Sequence, residues 1–217
     1  MNRVFFKAKE ILTPQLPLTA VAGFSTFLVV TFVLHFIQPD YDISKEYVSE
    51  FVLGAHGWLL NIGIAGNLAG CTAFTLAFYF YFHKTYKSWI CMVCLVIATL
   101  SVITNFFPTD IHGKAVTISG YIHNFGTFIG TLVIFPVMII FPYQLKKIGL
   151  LKGIYFLLAV LAPLAPVFYL ILLIIVDSAP EFIGIGQRVY ALIIMLWLIL
   201  AAFRLKSREF KCGKLRV

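Results

Sequence analysis

Charge is scarce in this sequence: only 12% of its 217 residues are Asp, Glu, Lys or Arg, about half the share usual in soluble proteins. The counterpart of that scarcity excludes a soluble globule. With 61% hydrophobic residues and a mean hydropathy of +0.96, a chain of this length has too little polar surface to cover its apolar side chains. Low-complexity and polar tracts are also missing, which removes disordered, collagen-like and coiled-coil readings. Long polar connections are absent too, the longest running roughly from Gln38 to Gly57, so there is no room for a separate soluble domain. Cysteine is sparse, and Cys71, Cys91 and Cys94 lie inside apolar runs while Cys212 sits in a basic tail, a placement that supports no disulfide framework. Cys91 and Cys94 spell C-x-x-C, but their neighbours Met92, Val93, Leu95 and Val96 point to packing rather than to zinc or redox chemistry.

What the chain does contain is six long apolar runs. A helix crossing a hydrocarbon core about 30 Å thick needs about 20 apolar residues. The runs fall at Leu18 to Ile37, Trp58 to Phe82, Ser88 to Phe107, Tyr121 to Phe141, Ile154 to Val176 and Arg188 to Phe203. They are continuously apolar, whereas barrel strands alternate over about 10 residues. The expected fold is therefore all-α, a six-transmembrane-helix bundle. Residues 1–17 form an N-terminal segment, 18–205 the membrane domain and 206–217 a basic tail. The basic start followed by an apolar run resembles a secretory signal, but the run continues about 15 residues past Ala20-Val21-Ala22, which suits a retained span.

The few charges are sorted. Counting alternate connections and both ends, 14 of 17 Lys and Arg fall on one side and 7 of 9 acids on the other. By the positive-inside rule both termini are expected in the cytoplasm, and the protein in the cytoplasmic (inner) membrane. The formal net charge of +8 thus matches an anionic inner leaflet and not nucleic acid. Lys45, Lys114 and Arg188 are the bases left on the outer side.

Three outer connections carry the polar groups that are expensive near lipid unless they meet water, a cavity or one another. In the first, Ile43, Tyr47 and Phe51 recur every four residues beside Val48 and Val52, with Lys45/Ser49 and Glu46/Glu50 opposite. That spacing predicts one short amphipathic helix in the interface, leading into Trp58. In the second, Asp110 and His112 follow Pro108-Thr109, and His123 opens span four. These three residues, with Glu50 near, are of the types that bind zinc and activate a water. Turn chemistry for Asp110 and solvation for His112 fit equally. His123, Gly126, Thr127 and Gly130 form a small stripe expected to face another helix, for which Gly63, Gly66, Asn67 and Gly70 of span two, with Asn61 nearer the outside, offer a matching surface. In the third, Arg188 is the one base at an outer helix end, placed to pair with Glu50, Asp177 or Glu181, to bind a lipid phosphate, or to snorkel.

These segments also carry a resemblance. Tyr41-Asp42-Ile43-Ser44 through Val48-Ser49-Glu50-Phe51 with Gly57-Trp58-Leu59-Leu60-Asn61, then Phe107-Pro108-Thr109-Asp110 followed by His123, and finally Gly186-Gln187-Arg188 followed by Trp197, resemble the signatures of a bacterial and archaeal membrane-protein family catalogued as domain of unknown function 998. The likeness covers roughly residues 18 to 205 and implies six spans, without an activity. A looser similarity, in Ser49-Glu50 after span one and in the six-span plan, is to eukaryotic membrane proteins of lipid remodelling and autophagy. A weaker one is to seven-helix metal-dependent lipid hydrolases, from which this chain departs in having six spans and no His-x-x-x-His in its last helix. The expected site is a polar pocket at the outer face that binds or processes the headgroup of a lipid or amphiphile. Glu50, Asp110 and His123 are the candidate catalytic groups, Ser49, Asn61 and Arg188 the candidate ligand-binding groups, with Arg188 on an anionic headgroup. His112, His123 and Asp110 are the candidate zinc ligands. A small-molecule transporter using Asn61, Asn67 and the prolines of span five, and a non-catalytic membrane partner, are the alternatives.

Overall fold

The computed structural model describes residues 15–82, 86–111, 114–147 and 154–212. Among them are six long helices: α1 (Leu16–Ile37), α2 (Gly57–Phe82), α3 (Tyr86–Ile103), α4 (Ile118–Lys147), α5 (Ile154–Ser178) and α6 (Ile183–Cys212). All six contain a segment long and apolar enough to cross a membrane, and no strand occurs among the described residues. In lipid a helix satisfies its own backbone, so continuous apolar runs have no other stable form. The chain is a multi-pass membrane protein. Element ends differ from the hydropathy boundaries because capping and turn chemistry, not apolarity, decide them. Helix α6 begins at Ile183 rather than at Arg188, after a 3-10 turn at Pro180–Phe182, and runs to Cys212. Helix α4 continues through Pro136 and Pro142, and α5 through Pro163 and Pro166.

Consecutive helices pair as hairpins, and the small residues set how close each pair comes. A Cβ on Gly23 of α1 would lie 2.3 Å from the Gly66 carbonyl and 2.6 Å from the Gly70 nitrogen of α2, so the two backbones touch there. Gly126 and Gly130 of α4 receive Thr104 and Ser101 from the end of α3 in the same way. The two glycine stripes therefore do not face each other as expected: that of α2 packs on α1, and that of α4 on α3. Chain proximity decides this, since each hairpin partner is delivered by a short connection before a distant helix can compete. Asn67 is buried in its stripe, whereas Asn61 lies on the exposed side of α2.

The hairpins meet around Phe141, whose ring lies 5.8 Å from Phe74, 6.0 Å from Phe78, 6.1 Å from Phe82 and 5.5 Å from Trp197. Trp197 is fully buried and donates its indole N–H to the Leu158 carbonyl at 3.2 Å, which joins α6 to α5 without an unsatisfied donor. Cys91 is buried in the same core, in keeping with a packing role. At the opposite end lie the connections 38–56, 104–117 and 179–182, and α6 also packs along α1. We call this the loop-rich end.

The Gly23 contact makes a direct prediction. Gly23→Val must push two backbones apart, an overpacking of at least about 1–3 kcal/mol. Gly63→Ala meets no backbone, only the Val30 side chain at 3.3 Å and the Phe27 ring at 3.5 Å. Thermal unfolding in detergent, followed by size-exclusion profile, should show a marked loss for the first and little change for the second.

Candidate functional site

The loop-rich end is organised by Arg188, one turn into α6. Its Nε donates to His35 Nε2 of α1 at 2.7 Å, and its Nη1 donates to the carbonyls of Glu46 at 2.6 Å and Gly184 at 3.0 Å. The guanidinium also stands over the Phe51 ring, 5.6 Å from its centroid, a cation–π contact strengthened by removal from water. His35 Nδ1 sits 2.6 Å from the Thr31 carbonyl. A carbonyl only accepts, so Nδ1 carries the proton and Nε2 presents the lone pair that Arg188 uses. Two more bonds fasten the first connection to α6: the Gly184 N–H donates to the Ser44 carbonyl at 2.7 Å, and the Gln187 Oε1 accepts from the Val48 N–H at 2.6 Å. A Cβ at Gly184 would lie 2.4 Å from the Ile43 carbonyl, so only glycine admits this approach.

The first connection is consequently not the single amphipathic helix that its four-residue spacing predicts. Residues 42–46 form a turn, in which Asp42 Oδ1 accepts from the Ser44 N–H at 2.9 Å, and only Val48–Leu53 is helical, as a 3-10 helix. Hydrogen bonds from Gly184, Arg188 and Gln187 take carbonyls and an N–H that an α-helix would need for itself, so tertiary bonding overrides the local period. Phe51 and Glu50 are buried. The Glu50 carboxylate accepts from the Tyr47 N–H at 2.9 Å and its carbonyl accepts from the Tyr41 hydroxyl at 2.8 Å. It thus holds the start of the 3-10 helix in the manner of a capping carboxylate. Burial, together with the Glu50 charge, pushes the Tyr47 phenol up to about 12. Burial and the same charge raise the Glu46 carboxyl above its usual range. Gln38 completes this region: with its amide oxygen turned toward the start of α2, it accepts from the His56 and Gly57 N–H groups at 3.2 and 3.3 Å.

Asp110 has a comparable task at α4. Its two oxygens accept from the Thr117 N–H and hydroxyl, each at 2.8 Å, and Thr117 Oγ1 accepts in turn from the Gly120 N–H at 3.1 Å. An anion at a helix N-terminus is favoured by the helix dipole and fills orphan donors. A side chain at Gly120 would collide with that carboxylate. His123, one turn further, is buried, and its Nδ1 lies 3.0 Å from the Phe107 carbonyl. The proton is therefore on Nδ1, and Nε2 carries a lone pair.

A cavity of about 340 Å³ opens beside His123. Tyr47 and Ser49 of the first connection, Thr109, Asp110, Ile111, Lys114 and Val116 of the second, Asn124, Thr127, Phe128 and Thr131 of α4, Tyr169, Leu172, Leu173 and Val176 of α5, and Gln187 and Tyr190 of α6 contribute to its wall. Tyr190 donates its hydroxyl to Thr131 Oγ1 at 3.0 Å, and Thr127 donates to Asn105 at 2.9 Å. Ser49, Asn124 and Tyr169 make no side-chain hydrogen bond to a described residue. The exposed rim runs from Lys114 on the second connection to Phe128 of α4 and Leu173 of α5. A second, open groove of about 440 Å³ lies between α1 and α6, lined by Phe27, Phe32, Leu192 and the inner faces of His35 and Arg188. Arg188 Nη2 and Thr31 Oγ1 are the buried side-chain polar atoms without a partner among the described residues.

The structure thus divides the residues singled out by sequence. Ser49, Asp110 and His123 line the cavity. Glu50 and Arg188 do not, because they fasten the first connection from behind. Asn61 faces outward on α2. His112 lies outside the described residues, and among those described no group of three or more His, Cys, Asp and Glu is close enough to hold a metal. Sequence reasoning did not find His35, Gln187, Tyr190 and Thr131. A histidine near the end of an otherwise apolar span was the available signal for His35. The others pair across 59 and 139 positions and leave no local trace.

Arg188→Lys keeps the charge but loses the fork that reaches two carbonyls and an imidazole at once. Hydrogen bonds to a charged group contribute about 1.5–3 kcal/mol each. Losing two should therefore speed amide exchange over residues 42–53 by roughly 100-fold or more, at tenfold per 1.4 kcal/mol. Unchanged exchange would assign the fastening to Gly184 and Gln187 alone.

No curated protein and no solved structure matches the chain. The family described as protein of unknown function (DUF998) matches residues 21–204, a stretch that includes α1 from Val21, all three connections of the loop-rich end and α6 through Arg204. By that match the chain belongs to the DUF998 family.

Proposed function

We propose that the protein binds the headgroup of a membrane amphiphile in the cavity beside His123. The observation that carries this reading is the course of the cavity rim. It begins among polar loop residues at Lys114 and ends among apolar side chains at Phe128 and Leu173, which lie on the lipid-facing surfaces of α4 and α5. A molecule with a polar head and a hydrocarbon tail fits such a path, its head against His123, Ser49 and Asn124 and its tail leaving between the two helices. The volume is at the lower end of small-molecule sites. Binding is favoured over hydrolysis because Glu50 and Asp110, the carboxylates a hydrolytic mechanism would draw on, already accept backbone N–H groups.

We also place the loop-rich end outside the cytoplasm. The charge sorting supports this, with 14 of 17 Lys and Arg at the other end or in the terminal segments. In intact cells Lys114→Cys should react with a membrane-impermeant maleimide well above the wild-type background. Labelling only after the cells are permeabilised would reverse the orientation.

A diacyl lipid carrying a photoreactive group near its headgroup tests the binding site. In reconstituted protein its crosslinks should concentrate on residues 123–131 and 169–176, and Asn124→Trp, which fills the rim, should reduce them at least about fivefold. Crosslinks spread evenly over the outer helix faces and indifferent to Asn124→Trp would sink the reading.

A further inference from the structure

We infer that the headgroup this cavity takes is an uncharged polyhydroxyl group, of the glycosyl or glycerol kind, rather than a phosphate or carboxylate. The inference rests on the amphiphile reading above and concerns which amphiphile. An anion in a partly dry site needs a guanidinium, an ammonium or a helix N-terminus to replace its water. Each of these is accounted for elsewhere. Arg188 gives Nε and Nη1 to His35 and to the Glu46 and Gly184 carbonyls, and lines the α1–α6 groove instead of this cavity. The N-terminus of α4, the helix end beside the cavity, is filled by the Asp110 carboxylate through Thr117. Lys114, the remaining base in the wall among the described residues, is exposed at the rim, where water competes for it.

Beside the Asp110 carboxylate, which Thr117 holds, the cavity wall and rim offer a set of neutral donors and acceptors. Ser49 and Tyr169 bring hydroxyls, Asn124 an amide, and His123 an Nε2 lone pair, while Gln187 keeps its NH₂ because only its oxygen is used by Val48. A hydroxyl both donates and accepts, so a polyol satisfies such a mixed set where an anion, which only accepts, leaves His123 Nε2 facing like charge. The Tyr47, Tyr169 and Tyr190 side chains supply aromatic surface beside these groups, on which the C–H face of a sugar ring packs without loss of its hydroxyl bonds.

The full-length protein in phosphatidylcholine nanodiscs, each loaded with a small fraction of one test lipid of matched acyl chains, separates the cases. The test lipids are monoglucosyl diacylglycerol, phosphatidic acid and plain diacylglycerol, and native mass spectrometry reads the lipid retained on the released protein. Monoglucosyl diacylglycerol should be retained at least about tenfold over the other two, the factor expected for about one well-made hydrogen bond. Ser49→Ala and Asn124→Leu, which touch no structural bond, should each erase most of that preference. Preference for phosphatidic acid, or equal retention of all three above phosphatidylcholine, would overturn the polyol assignment while leaving an amphiphile site. Retention of none above phosphatidylcholine would remove the amphiphile reading itself, and the assignment with it.

Discussion

A guanidinium taken out of water at the mouth of a membrane helix must find partners for its N–H groups, and this requirement shapes the loop-rich end. Arg188 meets it at Nε and Nη1 with two backbone carbonyls and one imidazole and lays its guanidinium over one aromatic face, while Nη2 has no partner among the described residues. Each partner comes from a different place in the chain: the start of α6, the turn at 42–46, the end of α1 and the 3-10 helix. Satisfying one charge therefore positions three segments together. Tyr47 and Ser49, which wall the cavity, follow directly on the carbonyl that Arg188 holds. A lysine has the charge but not the geometry for this.

The remaining charges near that end follow the same logic of backbone satisfaction. Glu50 holds the N-terminal side of a 3-10 helix and Asp110 the N-terminus of α4, while Gln38 serves α2. Three side chains that look like site chemistry in a one-dimensional reading, Arg188, Glu50 and Asp110, thus bond backbone groups where helices end in or near lipid. The cavity is what these arrangements leave between α4 and α5, and its character is set by subtraction. Charges are drawn into capping, and hydroxyls, amides, one imidazole and aromatic rings remain. Close packing through glycine at the α1–α2 and α3–α4 seams gives these helices a rigid spacing, so the opening beside α5 is a consequence of the fold and not of loose loops.

Much of the architecture was legible from the sequence. Six apolar runs of about 20 residues predict six helices, because lipid removes every alternative way of satisfying a backbone. The short connections predict hairpins. Of the polar residues that are costly near lipid, Glu50, Asp110, His123 and Arg188 bond backbone groups, while Ser49 stands in the cavity wall. For Arg188 the sequence suggested Glu50, Asp177 or Glu181 as partners, and its hydrogen bonds go to His35 and to the Glu46 and Gly184 carbonyls. The four-residue spacing of Ile43, Tyr47 and Phe51 suggested an α-helix, and the actual turn and 3-10 helix exist because α6 supplies competing hydrogen bonds. Matching glycine stripes on α2 and α4 suggested a contact, but each stripe has a nearer helix to meet.

What the sequence determined by itself is what the solvent dictates: helices, their number, their approximate ends, and the sorting of charge between the two sides. These depend on composition summed over about 20 residues and are indifferent to distant contacts. The tertiary structure alone decided the partner of each polar group, the Thr117 N–H and hydroxyl for Asp110 and the Glu46 carbonyl for Arg188. A polar side chain carries only its need for a hydrogen bond. The identity of the nearest group able to meet it is a property of the packed bundle, in which Arg188 and His35, 153 residues apart in the chain, come to lie 2.7 Å apart.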